Sequence, residues 1–358
     1  MTFTTSAQTR PLFVDIGGRR IGVGCPVYVI AEAGVNHDGL VEKALRLVDA
    51  ATEARADAVK FQMFRAAELA SRDAGVAEYQ APGGARSQYE MLRRLELTEA
   101  EFRRIREHCR DRGIEFLASP FGIRDAERLA KLGVNAFKLA STELNNLSLL
   151  RHVAQTGFPL ILSTGASSAE EIRGGVERLE GMNAGDRLIL LHCVSAYPTP
   201  MEAANLGAIA TLRNTFGVVS GFSDHTTETR TGAWAAAAGA CVLEKHFTLD
   251  RTTPGPDHAM SLTPADLRKY ISNVREVERA LGDGELDMNS IEADVRAVAR
   301  KSVVAACDIA AGTVLTYSLL CLKRPGGGIE PDQFDAIVGR RTVVDAPRDT
   351  VLTWDMIR

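Results

Sequence analysis

The chain has 358 residues, 45% of them hydrophobic and 25% charged, with a formal net charge of -4. That length exceeds one small domain and suits a barrel with an appendage, in an ordinary globular composition. No long basic run offers itself to nucleic acid or a membrane surface, and the longest apolar run, Ala233 to Leu243, is too short to span a bilayer. The opening MTFTTSAQTRPLF lacks a charged region followed by an apolar one, so no signal peptide is expected. The six cysteines (25, 109, 193, 241, 307, 321) are scattered without a C-x-x-C pair, which fits reduced thiols and a cytoplasmic location.

Residues 11 to 24 alternate apolar and polar around Gly17-Gly18, the pattern of a tight hairpin, expected to plug the bottom of the domain built by the strands after it. From Val27 the chain repeats a short apolar strand, a polar turn and an amphipathic helix. Strand one, Val27 to Ala33, carries Glu32 and runs into Asn36-His37; the helix after it buries Val41, Ala44, Leu45, Val48 and Ala51 at helical spacing. Strand two, Ala58 to Phe61, brings Lys60 and Gln62, and a long loop to about residue 96 is a candidate lid. Thr98-x-x-Glu101 is a capping box for a helix with Phe102, Ile105 and Cys109 inward. Strand three, Glu115 to Ala118, ends at Ser119. Strand four, Ala136 to Leu139, carries Lys138 and leads to Ser141-Thr-Glu143. Strand five, Leu160 to Leu162, ends in Ser163-Thr-Gly165 before a helix capped by Ser168-x-x-Glu171. Strand six, Leu188 to Leu191, ends in His192-Cys193-Val-Ser195-Ala-Tyr197, and strand seven, Val218 to Phe222, in Ser223-Asp-His225. Strand eight is Cys241-Val-Leu-Glu244-Lys-His246, followed by a rigid turn, Pro254-Gly-Pro-Asp257; Glu244 and His246 share a face that Lys245 opposes. A final helix begins at Thr263-Pro264 and ends near Leu281.

Eight strand-helix units in about 250 residues fit a (β/α)8 TIM barrel. A doubly wound open sheet would gather its chemistry at one switch point, whereas here nearly every strand ends in polar residues. Residues 1–281 are therefore expected to form the hairpin and barrel, and 282–300 a polar linker. Residues 301–358 are expected to form a small β-rich module, marginal alone, which docking onto a barrel would stabilise.

The strand ends collect Lys60, Lys138, Ser119, Ser141, Ser163 and Ser223 with Glu32, Glu143, His192, His225, Glu244, His246 and Asp257. Lysines and hydroxyls at strand ends suit a small phosphate-bearing polyanion, aided by a helix N-terminus after Gly165. Either lysine alone would read as a solvated rim residue, but both sit inside apolar strands. His225 and His246 end neighbouring strands and could approach one divalent ion, Mn or Mg, with water and substrate oxygens completing it; two satisfied structural histidines are the alternative. Cys193 reads as a small buried strand-end residue.

Several of these stretches resemble the sialic acid (nonulosonic acid) synthase family, with its N-acetylneuraminate synthase-like members: Glu32-Ala-Gly-Val-Asn-His37, Ala-Val-Lys60-Phe-Gln62, Lys138-x-x-Ser141-x-Glu143, Ser163-Thr-Gly165, His192-Cys-x-x-x-Tyr197, Ser223-Asp-His225, Glu244-Lys-His246 and Pro-Gly-Pro-Asp257. The tail, with Lys323-Arg324-Pro-Gly-Gly-Gly-Ile329, resembles that family's antifreeze-like (SAF) domain. The resemblance implies condensation of phosphoenolpyruvate with an N-acetylated amino sugar and water, giving a nonulosonic acid and phosphate. It further implies Lys60, Lys138, Ser119, Ser141, Ser163, Ser195 and Ser223 around phosphoenolpyruvate, a metal on His225 and His246, and Glu143 as acid/base. Gln62, Tyr197, Asp257 and Arg324 would hold the sugar, Glu32 and Glu244 would orient the lysines or the metal ligands, and a domain-swapped homodimer would bring Arg324 across. Ser195 replaces an Asn of the motif, and the loop Ala81 to Gln88 lacks an Asn for an acetamido group. The acceptor thus stands between N-acetylmannosamine and a 2,4-diacetamido-2,4,6-trideoxyhexose of the legionaminate or pseudaminate route. A Schiff-base aldolase using Lys138 or Lys60, and a non-catalytic sugar-binding protein, are the rival classes.

Overall fold

The computed structural model describes residues 13–75 and 87–358. The opening segment 1–12 and the stretch 76–86, which holds most of the acceptor loop Ala81 to Gln88, lie outside the described residues. The chain forms two compact units that divide between Asp283 and Gly284.

The first unit opens with an antiparallel hairpin, β1 (Phe13–Ile16) and β2 (Arg19–Gly22). The barrel comes next as β3 (Tyr28–Gly34), α1 (Val41–Glu53), β4 (Ala58–Met63), α2 (Ala66–Leu69), α3 (Gln88–Leu95), α4 (Glu99–Arg112), β5 (Glu115–Pro120) and α5 (Ile123–Leu132). It continues as β6 (Phe137–Leu139), α6 (Leu147–Gln155), β7 (Leu160–Ser163), α7 (Ala169–Gly181), β8 (Leu188–Cys193), α8 (Gly207–Phe216), β9 (Val219–Asp224), α9 (Thr231–Ala237), β10 (Val242–His246) and α10 (Pro264–Leu281). The strands pair in the order β5-β4-β3-β10-β9-β8-β7-β6, and β5 and β6 lie side by side at the seam, so the sheet is a near-closed TIM barrel.

Strand alternation sorts the side chains into three environments. Outward residues such as Val29, Phe61, Leu162, Leu190, Phe222 and Leu243 join the apolar faces of the helices in the main core. Inward residues near the strand starts, among them Tyr28, Ala58, Leu117, Ile161, Ile189 and Val242, form a second core with Val14, Ile16 and Ile21 of the hairpin, which thus closes that end of the barrel. Inward residues near the strand ends are polar: Glu32, Lys60, Ser119, Lys138, Ser163, Ser223, Glu244 and His246 are all buried. The helices start where side chains satisfy their orphan amides, with capping boxes at Thr98–Glu101 and Ser168–Glu171 and a Thr263 cap before Pro264. In the loop expected as a lid, α2 and α3 bury Ala66, Met91, Leu92 and Leu95 against Val35 and Phe64.

The second unit begins with a short helix, α11 (Ala293–Ala299), within the stretch expected as a linker. Beyond it, β11 (Ser302–Ala305) and β12 (Leu320–Lys323) pair antiparallel, and bridges such as Ile309 with Ala346 and Thr342 with Ile357 tie in the remaining segments. Val303, Leu315, Ile329, Ile337 and Leu352 supply a small core of its own.

One ion pair on the outer side of the barrel fixes neighbouring strands. Lys245 and Asp224 are register partners on β10 and β9, with Nζ 3.0 Å from Oδ2 and side chains only 1% and 0% exposed. Lys245 also donates to the Thr226 carbonyl and lies 5.5 Å from the centre of the Tyr270 ring. Lys245→Ala strands a buried carboxylate and is expected to cost about 3–5 kcal/mol in urea unfolding. By contrast, Lys323→Ala, which breaks an ion pair whose side chains are 46% and 58% exposed, should cost under ~1 kcal/mol.

Candidate active site

Four charges meet where strands β3, β4, β6 and β10 end. Lys60 Nζ lies 2.9 Å from Glu32 Oε2 and 3.8 Å from Glu244 Oε2, and Lys138 Nζ lies 3.6 Å from that same Glu244 oxygen. Each ammonium also donates to a serine of the adjoining strand: Lys60 to Ser119 Oγ at 3.1 Å and Lys138 to Ser163 Oγ at 2.8 Å. Ser223 Oγ donates to Glu244 at 3.1 Å and sits 3.4 Å from His225 Nε2. A continuous polar chain therefore runs from Ser119 through the quartet to His225.

Two glycines give the site its shape. At Gly34, with φ +54° beside a register shift in β3, a Cβ would lie within 3.5 Å of Asp257 Oδ2, Glu32 Oε1 and Gln62 Nε2, so those three polar groups converge on the glycine. At Gly165 a Cβ would collide with Ser195 Oγ at 2.4 Å, Cys193 Sγ at 2.5 Å and Ser141 Oγ at 3.0 Å. There the backbone approaches closely, and Gly165 N–H donates to Ser141 Oγ at 2.9 Å. Ser195 is exposed at this edge.

Burial sets the protonation states. It pushes the Glu32 carboxyl up to about 7 against the pull of Lys60, with Glu244 adding to the rise. Burial also acts upward on Glu244, yet Lys138, Lys60 and His225 together hold it below the usual range. Burial works downward on Lys60, but Glu244 and Glu32 keep it raised, whereas at Lys138 burial prevails and lowers it. Burial brings Asp257 up to about 6. The two glutamates are thus driven apart, the pattern that separates a proton-holding carboxyl from an ionised one.

The histidine pair is also drawn together. The rings of His225 and His246 lie 5.7 Å apart, with Tyr197 4.3 Å from the first and 6.4 Å from the second. Burial lowers both imidazoles, His246 well below its ordinary value, so both are neutral at pH 7. The Val194 carbonyl, 2.7 Å from His225 Nδ1, can only accept, so Nδ1 carries the proton and Nε2 keeps its lone pair.

Not every expected residue joins this cluster. Glu143 is buried on the turn after β6, held by Asn146 Nδ2 at 2.7 Å and Thr142 Oγ1 at 3.1 Å. Arg324 is exposed in the second unit. His192, expected at the barrel mouth, faces the other way, because alternation along β8 turns it outward when Leu191 and Cys193 point in. It stacks on Phe222 and meets the Ala204 carbonyl at 3.0 Å. Asn36 and His37 brace loops: Asn36 donates to the Phe247 carbonyl and Ser261, and His37 accepts from Gly39 N–H. Sequence reasoning missed Asn146, whose three-residue spacing from Glu143 was the available signal. Cys193 is the small buried strand-end residue expected, and its thiol lies 3.1 Å from Ser141 Oγ, a contact the sequence did not indicate.

Comparison with known proteins gives this arrangement a context. Residues 47–286 match the NeuB family and residues 300–358 match the SAF domain. The chain is 41% identical over 342 residues to an uncharacterized protein of Methanocaldococcus jannaschii, spanning 96% of this chain and 98% of that one. It is 39% identical over 341 residues to the N,N'-diacetyllegionaminic acid synthase of Legionella pneumophila, spanning 94% and 96%. The crystal structure of N-acetylneuraminic acid (sialic acid) synthetase from Leptospira borgpetersenii, in complex with citrate, superposes with a TM-score of 0.73 at 34% identity, over 79% of this chain and 94% of that one.

The histidine pair fits a divalent ion on its own chemistry. His246 Nδ1 is buried without a hydrogen bond, and its nearest carboxylate oxygen, Asp257 Oδ2, is 3.9 Å away. His225 has the backbone-anchored ring of a metal ligand. No group of three or more His, Cys, Asp or Glu side chains arranged to hold a metal ion occurs among the described residues, so water or substrate oxygen would complete the shell. If the pair holds the Mn or Mg ion expected from the sequence, calorimetry, or paramagnetic resonance for Mn, should detect binding that His225→Ala or His246→Ala abolishes. Undiminished affinity in both variants would assign the pair a purely structural part.

Proposed function

Because the chain belongs to the NeuB family, we propose that it condenses phosphoenolpyruvate with the open-chain aldehyde of an N-acetylated amino sugar and water, giving a nonulosonic acid and inorganic phosphate. The observation that carries this reading is the pair of buried lysines, Lys60 and Lys138, each bonded to a serine and both facing Glu244. A trianion needs fixed positive charge and oriented donors in a water-poor site, and this arrangement offers both.

In the proposed reaction Lys60, Lys138, Ser119, Ser141, Ser163, Ser195 and Ser223 hold the carboxylate and phosphate, with Glu32 and Glu244 orienting the ammoniums. Gln62, Tyr197, Asp257 and Arg324 hold the sugar. Carbon 3 of the enol phosphate bonds to the aldehyde carbon, and Glu143 gives its proton to the new alkoxide. Positive charge at carbon 2 is captured by water, which returns a proton to Glu143. Collapse of the resulting adduct breaks the bond between carbon 2 and the bridging oxygen, leaving a ketone and free phosphate. A Mn or Mg ion on His225 and His246 would supply Lewis-acid polarisation of the aldehyde oxygen. No helix of the described residues is long and apolar enough to cross a membrane. The six cysteines are free, as reduced thiols in a cytoplasmic setting would be.

Two acceptor classes fit. N-acetylmannosamine is the simpler; a 2,4-diacetamido-2,4,6-trideoxyhexose is favoured by the 39% identical relative named a diacetyllegionaminic acid synthase. Phosphate release from phosphoenolpyruvate should depend on one of these sugars, and the larger kcat/KM assigns the acceptor. No release with either would refute the reading.

A second reading rests on Lys138, since burial lowers its ammonium as a Schiff-base lysine requires. We infer that the lysines act as charges only. Borohydride reduction with substrates present should leave the protein mass unchanged, and Lys60→Ala or Lys138→Ala should raise the KM for phosphoenolpyruvate at least ~10-fold. A reduced adduct on Lys138 would favour the aldolase.

We further infer a domain-swapped homodimer in which the SAF module of one chain brings Arg324 to the barrel mouth of the other. The supporting observation is an apolar stripe along the chain entering the module: Leu286, Ile291, Val295 and Val298 are 104%, 83%, 64% and 65% exposed in one chain. An arginine fork suits hydroxyl and acetamido oxygens. Glu143→Gln and Arg324→Ala, each inactive alone, should regain activity when their subunits are exchanged, because each mixed dimer contains one intact site. Activity that stays at the single-variant level would mean that Arg324 serves its own barrel.

A further inference from the structure

Cys193 ends β8 with its side chain turned into the barrel, buried beside the phosphoenolpyruvate cradle proposed above. Its sulfur lies 3.1 Å from Ser141 Oγ. The same Ser141 oxygen accepts from Gly165 N–H at 2.9 Å. A serine hydroxyl has one proton to donate and two lone pairs to accept with. Gly165 occupies one lone pair, so the direction of the Cys193 contact decides where the Ser141 proton points. If Ser141 donated to sulfur, its only proton would be spent inside the protein. If the thiol donates to Ser141, both lone pairs are filled and the hydroxyl proton is left for a ligand.

We propose that Cys193 is a positioning residue: its S–H donates to Ser141 Oγ, so that Cys193 and Gly165 saturate the acceptor side of that hydroxyl and direct its proton at the phosphoenolpyruvate anion. The inference rests on the reading of this cradle as the phosphoenolpyruvate site. Burial pushes the Cys193 thiol up, so it keeps its proton at neutral pH. Packing supports the same geometry, because Gly165 must be a glycine for Ser141, Cys193 and Ser195 to approach together: a Cβ there would lie 2.5 Å from the sulfur. A merely space-filling residue would need no particular partner for its sulfur. Neither Ser nor Ala at 193 enlarges the side chain, so both variants can fold.

The test uses the full-length protein and measures phosphoenolpyruvate binding by calorimetry, together with kcat and the KM of each substrate. Cys193→Ala should weaken phosphoenolpyruvate binding and raise its KM about 10-fold, as expected for losing the orientation of one charge-assisted donor, while kcat and the sugar's KM stay within about 2-fold. Cys193→Ser, which keeps a donor at the position, should restore most of the affinity. The decisive comparison is a double-mutant cycle. If Cys193 acts through Ser141, adding Cys193→Ala to Ser141→Ala should cost little beyond Ser141→Ala alone. Additive losses, failure of Ser to rescue, or unchanged phosphoenolpyruvate affinity in Cys193→Ala would overturn the proposal while leaving the cradle reading intact. Wild-type protein that binds no phosphoenolpyruvate would overturn both.

Discussion

The constraint on which this barrel depends is the neutralisation of four charges in a nearly dry interior. Two glutamates and two lysines lie in the barrel with side chains no more than 6% exposed. An isolated charge there would cost several kcal/mol, so each must be matched by a neighbour within a few ångströms. Glu244 does this for both lysines, Glu32 for Lys60, and serines on the adjoining strands take up further ammonium protons. The pairing tolerates little drift in strand register, because a slip of one residue on any strand would turn its charge to the apolar outer layer. The hairpin plug, the helix caps and the Lys245–Asp224 pair all help to hold that register.

A balanced quartet is also a poised one. Burial raises the carboxyl of Glu32 to about 7 while the two ammoniums keep Glu244 ionised. With Glu32 inclined to hold a proton beside two ammoniums, the cluster leans toward positive charge, which favours an incoming anion over a cation. The serines at the strand ends have short side chains with little rotamer entropy to lose, so their donors are arranged before any ligand arrives. Two imidazoles that burial keeps neutral lie beside this cluster.

How much of this could be read from the sequence depends on which physical rule carried it. Period-two alternation was enough to put Lys60, Lys138, Glu244 and His246 inside the barrel, because a charged residue between apolar neighbours in a strand has only two faces to choose from. The same rule, applied one residue further along β8, turns His192 outward; the expectation at the mouth failed because it grouped His192 with its loop rather than with Leu190. Alternation also points Cys193 inward, but it says nothing about the partner, and the contact with Ser141 exists only because Gly165 lets three strand-end turns approach. The hold of Asn146 on Glu143 depends on a short turn after β6, and the convergence of Asp257 and Gln62 on Gly34 depends on a register shift in β3. Such features are set by tertiary approach, and local composition does not encode them.

The central claim is that the lysine-lined cradle binds phosphoenolpyruvate by charge and that water attacks carbon 2, so that phosphate departs with the bridging oxygen. The most direct measurement places 18O at that bridging position and tracks the label by mass spectrometry after turnover with the acceptor sugar. The account predicts that the released phosphate carries the label and that the product ketone oxygen comes from solvent. Unlabelled phosphate, with the label retained in the sugar acid, would mean cleavage between phosphorus and oxygen and would contradict it.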